Sequence, residues 1–114
     1  MVALRDIQNL SRAVVKEFHP RSVLLFGSHA HGTAGADSDV DLLVVMPHEG
    51  RPVDKSVEIR MKVRPRFPVD ILVRSPEKVR ERLAMGDRFM RDIVEHGKVL
   101  YETDDAGVDR EGRR

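Results

Sequence analysis

Three carboxylates and one Gly-Ser step are the residues of this chain best suited to chemistry. Asp39 and Asp41 alternate in Asp39-Val40-Asp41, ten residues after Gly27-Ser28, and Asp70 lies inside the apolar run Phe67-Pro68-Val69-Asp70-Ile71-Leu72-Val73. On an extended strand residues i and i+2 share a face, so Asp39 and Asp41 project side by side. Placed at the head of a run as apolar as Leu42-Leu43-Val44-Val45, they repel each other and lose hydration unless a cation lies between them. An oxygen-only donor set favours a hard divalent ion, Mg²⁺ or Mn²⁺, which keeps water and substrate phosphates among its ligands. If the Asp70 strand pairs beside the one carrying Asp39 and Asp41, three acids converge as a two-metal phosphoryl or nucleotidyl transfer site requires. Asp70 is then the third ligand or the base.

The Gly-Ser step supplies the complementary half. Ser22-Val23-Leu24-Leu25-Phe26 reads as a strand, and Gly27-Ser28 turns it into a short Ala/His/Gly segment that fits a single helical turn. Glycine lets a phosphate approach the backbone, serine offers a hydroxyl, and free N–H groups at a helix start favour an anion. The step is a triphosphate cradle of a kind other than the Walker loop, whose G-x-x-x-x-G-K-[ST] pattern the sequence lacks. Plainer readings stand beside these. Asp37-Ser38-Asp39 follows Gly32-Thr33-Ala34-Gly35 and also suits a turn before a strand. Asp70, costly to bury between Val69 and Ile71, also suits an edge strand or an ion pair with an arginine.

In this order and spacing the residues resemble the DNA polymerase β-like nucleotidyltransferase superfamily, and the short length is similar to its minimal nucleotidyltransferases, often encoded beside a helical HEPN-domain partner. The resemblance covers roughly residues 5 to 102. It implies that Asp39, Asp41 and Asp70 are catalytic and bind metal, Mg²⁺ or Mn²⁺, and that Gly27 and Ser28 bind the nucleotide, with ATP as substrate. It further implies that the chain is the antitoxin of a HEPN toxin. Members of the family often carry arginine near the positions of His29 and His31, so the charge offered to a triphosphate here depends on surroundings. Each histidine also fits an exposed turn residue.

The elements that must position these groups are legible as an α/β (α+β) pattern, a small mixed β-sheet flanked by helices. Ile7, Leu10, Val14 and Phe18 recur at helical spacing, and His19-Pro20 stops that helix before the first strand. A second strand spans about Val40 to Val45 and ends at Met46-Pro47. Val53, Val57 and Met61 mark a helix, and Arg64-Pro65-Arg66-Phe67-Pro68 is a loop feeding the Asp70 strand. Ser75-Pro76-Glu77 starts another helix, with Ser as N-cap and Pro in the first turn. Gly86-Asp87 breaks it; Phe89, Met90, Ile93 and Val94 form a further helical piece that Gly97 ends, and Lys98 to Tyr101 suits a short edge strand. A nucleotidyltransferase domain over 1–102 is expected, followed by a polar, mobile tail over 103–114.

Composition sets the remaining limits. A chain of 114 residues closes one core. The absence of cysteine excludes disulfides and thiolate metal sites. No apolar run resembles a signal peptide or a membrane span, so a cytoplasmic protein is expected. From Gly27 to Gly50 there are four acids and no Lys or Arg, whereas from Arg51 to Arg91 twelve basic residues face six acids, so a metal and a nucleotide or acidic partner have separate surfaces to meet. Four Phe and one Tyr give no aromatic platform for single-stranded nucleic acid, and direct nucleic-acid binding is not expected. The function classes that remain are transfer of AMP from ATP to a hydroxyl on a protein, modification of a small molecule such as an aminoglycoside, and a non-catalytic antitoxin that acts by binding. Homo- or hetero-oligomers suit each of them.

Overall fold

The computed structural model describes residues 1–103 and 109–111. Helix α1 (Leu4–Phe18) buries Ile7, Leu10, Ser11 and Val14 along one stripe, and closes on His19 in the left-handed region, whose N–H bonds the Val15 carbonyl. Strand β1 (Ser22–Phe26) leads through the one-turn helix α2 (Ser28–His31) to β2 (Val40–Val45). Helix α3 (Pro52–Val63) then crosses over to β3 (Val69–Arg74), as two parallel neighbours require. Helices α4 (Pro76–Ala84) and α5 (Arg88–His96) precede β4 (Lys98–Thr103). Ser75 caps α4 through Lys78 N–H, and Asp87 caps α5 through Met90 N–H, each at 3.1 Å.

The strands form one five-stranded sheet in the order β3-β2-β1-β4-β5, where β5 is Asp109–Glu111. Only β2 and β3 are parallel. The expected mixed sheet flanked by helices is therefore what the chain forms. Most of the residues assigned to a polar tail, 104–108 and 112–114, lie outside the described residues; Thr103 closes β4, and 109–111 pair with Thr103, Glu102 and Tyr101. Strand β4 is thus not the edge strand its sequence suggested. An irregularity opposite Val23 and Leu24 leaves Leu100 unpaired with β1 and turns both Leu100 and Tyr101 into the same core.

Each face of the sheet carries its own apolar cluster. Val23, Leu25, Val40, Leu42, Val44, Ile71 and Val73 pack against α1 and Ile59 of α3. Leu24, Leu43 and Val45 pack against Met90 and Ile93 of α5. Strand β2, covered on both sides, therefore reads as a continuous apolar run rather than an alternation. In α3 the helical spacing is right but its inward face is not the stripe that the sequence suggested. Val53, Val57 and Met61 are exposed, while Ile59 is buried and the Ser56 hydroxyl donates to the Ile71 carbonyl at 2.6 Å. The inward face is thus Ile59 with Val63, joined by a polar residue whose partner is the sheet's own backbone.

Truncating Leu42, fully buried on the face of β2 opposite Asp41, should cost about 3 kcal/mol as Leu42→Ala, whereas Met61→Ser should stay within about 0.5 kcal/mol. Urea denaturation of both variants checks the assignment of inward and outward faces.

Candidate active site

The site forms where three strand ends meet. Strand β1 runs antiparallel to β2, so its last residue, Phe26, pairs with Asp41, the first residue of β2 on the α5 side of the sheet. Strand β3 runs parallel to β2 with Asp70 in register beside Asp41. Neighbouring strands lie about 4.8 Å apart, so these two carboxylates leave adjacent backbones toward the same face. Asp39 lies one residue before β2, after a turn in which Gly35 N–H donates to Ser38 Oγ at 2.9 Å and Ser38 N–H to the Gly35 carbonyl at 3.2 Å. Asp37 belongs to that turn, while Asp39 emerges from it toward Asp41.

Asp70 is exposed on an edge strand, so the burial cost anticipated for it does not arise. Its register, not its desolvation, ties it to the site, and among the described residues it makes no ion pair. Asp41 is the half-buried member. Burial first, then the charges of Asp70 and Asp39, push its carboxyl above the usual value of 3.8, with His29 acting in the opposite direction. These are the conditions that a divalent cation reverses, and the donors are all hard oxygen. Among the described residues no three acidic or histidine side chains stand close enough to share one ion, so carboxylate rotation would have to complete the coordination.

Gly27 closes the site from the other side. Its φ of 75° and ψ of −156° suit glycine, and a Cβ built on it would collide with a carboxylate oxygen of Asp41. The strand-to-helix turn is thereby pressed against the acid. Ser28 is the first residue of α2, at the helix start where N–H groups lack intrahelical acceptors. The turn is held by Ala30 and His31 N–H on the Gly27 carbonyl, at 3.0 and 3.2 Å, and by Thr33 N–H on that of Ser28 at 3.0 Å. All five sequence-predicted residues therefore lie at one end of the sheet.

Sequence reasoning named His29 and His31 without their contacts, and missed Phe26 as a neighbour of the site. Phe26, on the residue paired with Asp41, meets Phe89 of α5 edge-on with ring centroids 5.6 Å apart and planes at 88°. His29 bonds backbone on both sides, to Val2 and to Asp39. His31 faces Asp92 of α5 at 3.9 Å. Phe26 follows β1's alternation and could have been placed, but its contact with Phe89 joins residues too distant in sequence for periodicity to reveal.

The shift at Asp41 has a thermodynamic consequence. A carboxyl that holds its proton more tightly folded than unfolded contributes stability that is full below about 3.8 and is lost as pH rises through its elevated folded value. At neutral pH the metal-free fold therefore carries an unfavourable charge at Asp41. Asp41→Asn should raise the urea midpoint in EDTA at pH 7 and leave it little changed at pH 3; a lower midpoint at pH 7 contradicts the assignment.

Comparison with known proteins shows the family and the fold of this chain. The family model for the nucleotidyltransferase domain matches residues 7–100. A Methanocaldococcus jannaschii protein, named as a candidate protein adenylyltransferase, is 30% identical over 83 residues, covering 71% of this chain and 78% of that protein. The crystal structure of a candidate nucleotidyltransferase from Sulfolobus solfataricus superposes with a TM-score of 0.62 at 21% identity, over 92% of this chain and 85% of that one. A toxin-antitoxin structure with AMP-PNP superposes with a TM-score of 0.56 at 19% identity, over 88% and 77%. Those two likenesses speak for the fold; the match from residue 7 to residue 100, which contains the Gly-Ser step and all three acids, bears out the resemblance drawn from them, and the chain belongs to the nucleotidyltransferase domain family.

Proposed function

We propose that this nucleotidyltransferase moves AMP from ATP to a hydroxyl on a partner protein, in a metal-dependent reaction, and that it does so as the antitoxin of a HEPN toxin. The observation that carries the reading is the register of Asp41 beside Asp70, with the Gly27 backbone pressed against Asp41. Relatives support this choice of donor and acceptor class: one is named for protein adenylylation, and a structural neighbour is a toxin-antitoxin assembly with AMP-PNP. Among the described residues no helix is long and apolar enough to cross a membrane.

Asp39 and Asp41 would hold Mg²⁺ or Mn²⁺, with Asp70 as third ligand and base. Bound there, the metal supplies charge neutralisation for the triphosphate and the departing pyrophosphate. Gly27 and Ser28 bind the phosphates through backbone N–H groups and the Ser28 hydroxyl. Asp70, solvent-exposed at the sheet edge, takes the proton of the attacking hydroxyl. The hydroxyl oxygen bonds to the α-phosphorus, the bond from that phosphorus to pyrophosphate breaks, and Asp70 releases the proton to water. The sheet fixes the two β-strand backbones that carry Asp41 and Asp70, so little reorganisation of the main chain is needed.

Incubating the protein with ATP, Mg²⁺ or Mn²⁺ and the product of the neighbouring gene should add one or more AMP masses to that product. Asp39→Asn/Asp41→Asn should abolish the adduct while leaving the two proteins associated; neutralisation of the partner by that double variant would instead favour an antitoxin that acts by binding. Asp70→Asn should lower turnover at least 100-fold and leave ATP affinity within about threefold, by stopped flow and calorimetry; an unchanged turnover refutes its role as base.

A further inference from the structure

His29 is held at both ring nitrogens. Val2 N–H donates to Nε2 at 3.3 Å, and Nδ1 lies 3.2 Å from the carbonyl oxygen of Asp39. A nitrogen that accepts from an N–H carries a lone pair, so in this arrangement the proton is on Nδ1 and is donated to Asp39. The same peptide unit is gripped at its other end, because Val40 N–H donates to the Pro68 carbonyl at 3.1 Å. The Asp39–Val40 peptide plane is thus fixed between α2, which carries Ser28, and Pro68, the residue just before β3, which carries Asp70. Fixing that plane fixes the Cα atoms of Asp39 and Val40 at its two ends, and with them the point from which the Asp39 side chain leaves the backbone relative to Asp41.

We infer that His29 is a positioning residue for Asp39: held by Val2 on one side and the Asp39 carbonyl on the other, it sets the backbone of the exposed acid and ties that acid to Val2. The inference rests on the reading of Asp39 as a metal ligand. Asp39 needs such a tie more than Asp41 does, since Asp41 sits within β2 between two partner strands while Asp39 precedes the strand and is exposed. With Nε2 engaged as acceptor and Nδ1 as donor, His29 has no N–H left for a phosphate. Its task differs from that of a fixed positive charge on the nucleotide.

The test separates the two ring contacts. Asn carries its amide nitrogen at the same bond distance from Cβ as Nδ1, so His29→Asn can keep the bond to Asp39 and lose the one to Val2, whereas His29→Ala loses both. Mn²⁺ titration followed by electron paramagnetic resonance, without nucleotide, should show affinity about tenfold or more weaker in His29→Ala and restored to within about threefold in His29→Asn. Equal urea midpoints for the two variants exclude a general loss of folding as the cause. In the wild type, ring ¹⁵N shifts should report a protonated Nδ1 and an unprotonated Nε2, and the Val40 amide should exchange faster in His29→Ala than in His29→Asn. Wild-type Mn²⁺ affinity in His29→Ala, or a protonated Nε2 paired with a bare Nδ1, overturns the inference. Failure of the wild type itself to take up Mn²⁺ would remove the metal reading of Asp39; the ring shifts and Val40 exchange then decide the positioning role alone.

Discussion

Two like charges held side by side on neighbouring strands are the constraint around which this molecule is arranged. The parallel pairing of β2 and β3 puts Asp41 opposite Asp70 and resists slipping, because a shift of one residue would exchange the side chains that β2 sends into its two clusters and carry Asp41 toward the α1 side. The apolar clusters on the two faces of the sheet therefore enforce the repulsion at its end. Burial cost at Asp41 and repulsion from Asp70 and Asp39 oppose the fold locally and are outweighed by the burial of Leu42, Leu43 and Val44 immediately beyond. Such a conflict between local and global preference belongs at a functional site, where in our reading a bound cation would relieve it.

Rigidity is graded across the site. Asp41 lies in the doubly covered strand, Asp70 in the same register but on the sheet's edge, and Asp39 outside the sheet altogether. Gly27 packs on the first of these, and peptide-plane contacts from α2 and Pro68 hold the last. The acid that abstracts a proton in our reading is exposed yet carried by a strand, and the half-buried one supplies the fixed point. This division suits an acceptor hydroxyl that arrives on another molecule.

Much of this was legible in the residues. Ile7, Leu10 and Val14 gave α1 its inward stripe, Ser75-Pro76 marked the start of α4, and Gly86-Asp87 separated α4 from α5, where Asp87 serves as the cap. The alternation of Asp39 and Asp41 pointed to a shared face, although β2 begins only at Val40 and Asp39 is held by other means. What sequence could not supply was long-range. The strand β5 on the outer side of β4, the outward turn of Val53, Val57 and Met61 in α3, and the ring contact of Phe26 with Phe89 depend on partners remote along the chain. The histidines of α2 illustrate the same limit. Their residue types suggested charge, whereas the fold gives one of them two backbone contacts and the other an acid on α5.

The edge position of β3 has a protective consequence. An edge strand exposes backbone donors and acceptors on which a second chain can build, and natural proteins discourage this with charged side chains along the edge. On the less covered face of β3 the residues are Asp70, Leu72 and Arg74, so the apolar middle is bracketed by charges of opposite sign. A parallel, in-register copy laid against this edge would set Asp70 against Asp70 and Arg74 against Arg74. The carboxylate that our reading gives to proton transfer thus also guards the sheet against growth into a larger aggregate.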